Sequence, residues 1–339
     1  MKKAPSGTSK KGSVPALAGG AAAVSRDIEF SRLSKWVDEL NICIRCGYCA
    51  EHCPLYRLSG WEIDTPRGRL LLSYGLITGE IEPTPYVAEK LFECFYCQNC
   101  SKSCSAKVSP TEILTDARAD LLEAGFDVQG TTVRNDGRLC RACGRCIDLC
   151  KAEALSLDAQ NMKVLVDSVK CKACGVCVAE CPVGAMSQRE GFGVSRQELS
   201  AAVTNALRSM NGQPKVLVFC CNWSMTPGLQ LSRMEPPGTQ DDSGIVVTVC
   251  VGRIDPGLIL NAFCEGAWGV MIACCPLDEC EQDGNYRAKE RCVSVACLLG
   301  LLGVESRRLK LEHFGTGEAQ KLKNTMKTFA AEMESLGPV

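Results

Sequence analysis

Cys140-Arg-Ala-Cys143-Gly-Arg-Cys146-Ile-Asp-Leu-Cys150 is repeated, after a short gap, as Cys171-Lys-Ala-Cys174-Gly-Val-Cys177-Val-Ala-Glu-Cys181-Pro182. The spacing has a mechanical reason. Three thiolates in one tight loop cover three corners of a cubane, and a fourth set farther along comes from a turn that ties two loops together. Between the runs, Ala154-Leu-Ser-Leu-Asp and Lys163-Val-Leu-Val-Asp alternate like two short strands around Ala159-Gln-Asn. Zinc ribbons are a poorer fit, because they hold two close pairs far apart rather than four cysteines in one loop. Disulfides are the other bland alternative.

The duplicated run resembles the bacterial two-cluster ferredoxins. That resemblance implies two [4Fe–4S] clusters with crossed fourth ligands. Cys140, Cys143, Cys146 and Cys181 would share one cluster, and Cys171, Cys174, Cys177 and Cys150 the next.

Twenty-five cysteines in 339 residues is an extreme count, and the two histidines, His52 and His313, are too few for a His-rich metal site. The cysteines fall in metal-spaced runs rather than as a secreted disulfide framework. A net charge of −1 with 23% charged residues gives no general attraction to nucleic acid or a membrane surface. No apolar run is long enough for a bilayer span; Cys297-Leu-Leu-Gly-Leu-Leu-Gly is too short. The expectation is a cytoplasmic protein that is not an integral membrane protein. Residues 1–25 read as a disordered tail, with a signal peptide as the alternative because Lys10 and Lys11 precede Val14-Pro-Ala-Leu-Ala-Gly-Gly-Ala.

Upstream stands another pair of runs: Cys43, Cys46, Cys49, Cys53-Pro54, then Cys94, Cys97, Cys100, Cys104. The longer gap between them looks helical. Thr65-Pro66 and Thr84-Pro85 each join a capping residue to a proline at the first helical position, opening segments at Arg69 to Tyr74 and Tyr86 to Glu93. Ser109-Pro-Thr-Glu112 reads as a capping box for Ile113 to Ala124, with Gly125 as the stop. Cys43-Ile-Arg-Cys-Gly-Tyr-Cys-Ala-Glu-His-Cys-Pro-Leu-Tyr followed by Asp64-Thr-Pro-Arg-Gly-Arg-Leu resembles the iron–sulfur subunits of heterodisulfide reductases and of FAD-linked glycolate or lactate oxidases. Ser105 departs from the proline usual there, but proline supplies no ligand. The resemblance implies an α-helical ferredoxin domain whose clusters pair Cys43, Cys46, Cys49 and Cys104 against Cys94, Cys97, Cys100 and Cys53.

After Gly191 the composition turns to α/β. Lys215-Val-Leu-Val-Phe-Cys-Cys, Gly244-Ile-Val-Val-Thr-Val-Cys and Gly269-Val-Met-Ile-Ala-Cys-Cys read as three buried strands ending in cysteine. Helical patterns at Arg196 to Met210, Pro256 to Cys264 and Tyr286 to Leu302 alternate with them, which predicts a parallel sheet. The carboxyl ends of such strands converge on one edge. Cys221, Cys250 and Cys275 fall there and Cys280 follows in the next loop, a thiolate set suited to one [2Fe–2S] cluster. Cys220 and Cys274 read as small core hydrophobes, as do Cys292 and Cys297.

This part resembles the delta subunit of methyl-viologen-reducing hydrogenase through Cys221-Asn-Trp, Cys250-Val-Gly-Arg-Ile-Asp-Pro, Asn261-Ala-Phe, Glu265-Gly-Ala and Gly284-Asn-Tyr-Arg-Ala-Lys-Glu-Arg. Ser224 stands where that family often has a further cysteine, and Pro276-Leu-Asp-Glu replaces its usual His-Pro-Gly-Asp.

The expected architecture is multidomain α+β. It comprises a tail (1–25), an α-helical ferredoxin domain (26–125), a bacterial 2[4Fe–4S] ferredoxin-like module (126–192) and a C-terminal α/β domain with a parallel sheet (213–339). No dinucleotide fingerprint, P-loop or nucleophile elbow accompanies the cysteines. The chain therefore reads as a non-catalytic electron-transfer subunit. The resemblances imply a flavoprotein partner of the heterodisulfide reductase type, possible electron bifurcation, and a catalytic partner with CCG domains, a hydrogenase or another dehydrogenase. The alternatives are the iron–sulfur subunit of an FAD-linked hydroxyacid oxidase and a redox-sensing iron–sulfur protein. No nucleic-acid partner is expected.

Overall fold

The computed structural model describes residues 28–221, 243–315 and 317–339. The tail expected at 1–25, the Asn-Trp pair after Cys221 and Ser224 lie outside them.

The first part is helical. Pro66–Thr78 and Pro85–Phe92 begin where the Thr-Pro pairs foretold. Thr65 Oγ1 accepts from Gly68 N–H at 2.8 Å, and Thr84 Oγ1 from Val87 N–H at 3.2 Å. The helix Pro110–Glu123 starts at Ser109 as expected, but the capping box there does not form. Glu39, from a distant helix, accepts the Ser109 N–H at 2.7 Å and so takes the part assigned to Glu112. Ile113, Leu114, Ala117 and Leu121 form an apolar stripe packed on Leu33, Leu70, Leu91 and Phe92.

The central module is built from two antiparallel ribbons. β1 (Val133–Asn135) pairs with β4 (Met186–Gln188), and β2 (Leu155–Asp158) with β3 (Lys163–Val166), the hairpin expected from the alternating pattern. Asp158 closes its turn by accepting the N–H groups of Gln160 and Asn161, each at 3.1 Å.

The C-terminal part is built on a parallel sheet. β5 (Val216–Cys221), β6 (Ser243–Thr248) and β7 (Gly269–Cys274) are the expected strands. A fourth, β8 (Leu309–His313), was not foreseen, nor was the closing helix Ala319–Leu336. The four lie in the order β6-β5-β7-β8. Side chains alternate between two faces. Leu217, Phe219, Val270 and Ile272 pack under the helices Arg196–Ser209, Pro256–Cys264 and Gly284–Leu301. Val216, Val218, Met271 and Ala273 pack on Ala319–Leu336. Burial on both faces explains why β5 and β7 read as unbroken apolar runs; the edge strand β6 leaves Val247 exposed.

Candidate iron–sulfur sites

All four cysteine runs share one backbone signature. The second residue after the first cysteine and the fourth residue both have positive φ: Arg45 (55°) and Gly47 (80°), Tyr96 (51°) and Gln98 (56°), Ala142 (49°) and Gly144 (76°), Ala173 (53°) and Gly175 (75°). Left-handed conformations at non-glycine residues cost of order 1 kcal/mol or more and persist only where the surroundings demand them. Alternating left- and right-handed residues turn successive N–H groups inward, a concavity that suits an anionic centre.

The fourth cysteine of a run lines a cavity with the opposite run in two of the four cases. Cys53 lines one cavity with Cys94, Cys97 and Cys100. Cys150 lines another with Cys171, Cys174 and Cys177. Cys140, Cys150 and Cys181 pack on the apolar cluster that includes Cys146, Cys171 and Cys177, and Cys43, Cys94 and Cys104 pack together on another.

The C-terminal four converge as well. Cys221, Cys250, Cys275 and Cys280 line one small cavity. The Cys221 and Cys275 sulfurs stand 3.5 Å apart, close to the roughly 3.8 Å between sulfurs on one tetrahedral ion with bonds of about 2.3 Å. The strand ends differ from expectation. Only Cys221 closes its strand; Cys250 lies two residues past β6 and leads into the short 3-10 turn Val251–Arg253, and Cys275 lies one past β7. Cys280 bonds both Cys250 and Cys275 and receives the N–H groups of Asn285 and Gln282, so its thiol is held well below the usual range while that of Cys250 rises. Among the spare cysteines, Cys220 faces the opposite side of the sheet, Cys274 shares the Cys221 face, and Cys292 is buried. Cys297, expected to pack, is exposed.

The donor set is sulfur throughout, which suits iron–sulfur clusters or zinc. Among the described residues no three or more His, Cys, Asp or Glu groups are disposed around a single ion. Burial pushes the Cys146 thiol up to about 11 and the Cys174 thiol up to about 12. Thiols so placed stay protonated unless a cationic core replaces the proton. The residues fit clusters.

The sites adjoin. Cys174 lines both the cavity it shares with Cys171 and the one holding Cys250. Between the Cys94 and Cys171 runs, the Tyr96 ring is held by two cations, Arg118 at 4.2 Å and Lys172 at 4.5 Å. Arg118 is fully buried and donates to the carbonyls of Leu91 and Cys94. Tyr96 and Arg118 escaped the reading of the sequence, although a cation on the apolar stripe of Pro110–Glu123 was a legible signal.

The family model described as methyl-viologen-reducing hydrogenase, delta subunit, matches residues 216–337. An iron–sulfur subunit of a hydrogenase from Methanococcus voltae is 35% identical over 133 residues, 38% of this chain and 90% of that protein. The chain belongs to the hydrogenase delta-subunit family. Ahead of the delta-subunit region, two 4Fe–4S dicluster domain models match residues 39–108 and 139–185. One component of a CoB–CoM heterodisulfide reductase from Methanosarcina acetivorans is 35% identical over 201 residues, covering 59% of this chain but only 25% of that larger protein. The glycolate oxidase iron–sulfur subunit of Escherichia coli is 38% identical over 84 residues, 20% of its length. The delta-subunit region is thus joined to two dicluster regions in one iron–sulfur chain, and no helix among the described residues is long and apolar enough to cross a membrane.

Proposed function

We propose that this chain is the iron–sulfur electron-transfer subunit of a cytoplasmic, electron-bifurcating oxidoreductase complex of the heterodisulfide reductase type. Its parts are a helical ferredoxin domain (26–125), a ferredoxin-like module (126–192) and a delta-subunit domain (213–339). Cys43, Cys46, Cys49 and Cys104; Cys94, Cys97, Cys100 and Cys53; Cys140, Cys143, Cys146 and Cys181; and Cys171, Cys174, Cys177 and Cys150 would hold four [4Fe–4S] clusters. Cys221, Cys250, Cys275 and Cys280 would hold one [2Fe–2S] cluster. Such groups supply reversible one-electron chemistry.

The observation that carries the reading is the shared wall at Cys174. A single cysteine borders two cysteine cavities, so these two sites adjoin, which supports a relay rather than separate structural staples. The protein contributes the geometry: left-handed turns in each loop, burial at Cys53, Cys97, Cys100, Cys171, Cys177, Cys221, Cys250 and Cys275, and cations such as Arg118 and Lys172 beside Tyr96. That the relatives are subunits of heterodisulfide reductases and hydrogenases supports a multi-subunit setting; the partners of this reading are a flavoprotein of the heterodisulfide reductase type on one side and a catalytic protein on the other.

The test is anaerobic purification with its native partners, iron and sulfide quantitation, and EPR. Four cubanes, one binuclear signal and a co-purifying flavoprotein are expected. Zinc in place of iron, or cubanes without a binuclear signal, defeats the assignment.

A further inference from the structure

Arg253 is a buried cation with no ion pair among the described residues. It is 4% exposed, and its Nε and Nη1 have no hydrogen-bond partner. Nη2 alone is engaged, donating to Gln188 Oε1 at 2.8 Å. That glutamine is itself fixed, because its Nε2 donates to the carbonyls of Thr131 at 2.9 Å and Ala173 at 3.1 Å. Gly175 lies against the guanidinium, and a Cβ there would stand 3.0 Å from Arg253 Cζ. Arg291 clamps the backbone on either side, donating to Gly252 O at 2.6 Å and Ile254 O at 2.9 Å. The side chain is built into its place by two domains.

Neighbouring carboxylates are committed elsewhere. Asp255 pairs with Arg196 at 3.1 Å and caps its helix through Leu258 N–H. Glu198 accepts the N–H groups of Gly191, Gly193, Val194 and Ser195. A guanidinium left without a counter-charge at such depth is costly. The Arg253 N–H donates to Cys250 O at 3.1 Å, and Gly175, which lies against its guanidinium, directly follows Cys174. Cys250 belongs to the binuclear set and Cys174 to the adjoining set.

We propose that Arg253 is the shared counter-ion of these two sites, a positioning residue that raises the reduction potential of both. The inference rests on the cluster assignment above. Four thiolates around either kind of core leave net negative charge, and each added electron increases it. A fixed cation within reach of both sets therefore favours the reduced form at each. It also gives the buried charge of Arg253 an electrostatic role.

The test is an EPR-monitored redox titration of the full chain, purified anaerobically, as wild type, Arg253→Met and Arg253→Lys. With full iron content in all three, the binuclear signal and one cubane component of Arg253→Met should move to lower potential while the other cubane components stay. Arg253→Lys should fall between the two. Unmoved potentials at full iron content, or an equal shift in the Lys and Met variants, overturn the proposal, since packing alone then explains the residue. Should Arg253→Met lose iron, Arg253→Gln carries the same comparison with a neutral side chain. A wild-type protein that holds zinc, or no binuclear signal, overturns the cluster assignment instead.

Discussion

Arg291 Nε donates to Glu180 Oε1 at 3.0 Å, joining the helix Gly284–Leu301 of the α/β part to the helix Val176–Glu180 of the ferredoxin-like module. Both side chains are about nine-tenths buried, and Arg145 reaches the other Glu180 oxygen at 2.7 Å. The pair ties these two helices together through buried charge.

Replacing Arg291 by alanine should therefore loosen that joint. Breaking a wholly uncompensated buried pair costs roughly 3–5 kcal/mol, and Arg145 remains here, so a loss of about 2–3 kcal/mol is expected. Thermal unfolding and limited proteolysis between the domains would measure it; an unchanged melting temperature would refute it.

The same pair has a pH signature. Burial raises the Glu180 carboxyl, but the hydrogen bonds and charges of Arg291 and Arg145 outweigh it and hold the group below the usual carboxylate range. Its stabilisation is complete above the ordinary glutamate value of about 4.3 and is lost as pH falls through the lower folded value. Wild type and Arg291→Ala should therefore differ most in melting temperature near neutral pH and converge on acidification. A gap that widens in acid would contradict this.

Cys250→Ser and Cys280→Ser should each abolish or alter the binuclear EPR signal and leave the cubane signals intact. Cys264→Ser and Cys297→Ser, at exposed positions, should leave every signal in place. Loss of the binuclear signal in Cys220→Ser with its retention in Cys221→Ser would show that the ligand comes from the other face of β5.

Crossed ligation predicts that Cys53→Ser disturbs the site of Cys94, Cys97 and Cys100, with which it shares a cavity, and spares the site of its own run. Iron content should fall by one cubane or less. A change confined to the Cys43 site, resolved by its own EPR component, would exclude crossing in this domain.

Gly284 carries a steric prediction. A Cβ there would lie 2.2 Å from Cys250 Sγ, so Gly284→Ala should displace that sulfur and cost the binuclear signal while the protein remains folded by circular dichroism. A normal signal in that variant would mean that Cys250 points elsewhere when loaded.

Much of this protein was legible in the order of its residues alone. Cysteine spacing is a local property, and the loops it demands have one conformation, so four runs with one spacing arrive at the same alternation of left-handed residues from Arg45 to Gly175. The Thr-Pro starts of Pro66–Thr78 and Pro85–Phe92, and the apolar strand runs before Cys221, Cys250 and Cys275, are equally local signals. The short β8 carries only a brief alternation over five half-buried residues, and its strand state is fixed by pairing with β7. The cap at Ser109 likewise went to Glu39, seventy residues away, since a nearby carboxylate brought by packing competes equally with one in sequence. Above all, spacing cannot say which cavities touch. That Cys174 borders the Cys250 site, that Tyr96 lies between Arg118 and Lys172, and that Arg253 lies against Gln188 and Gly175 are consequences of segments distant in the chain packing on one another. Burial turns those side chains from solvated surface charges into fixed fields, and only the tertiary structure decides what is buried.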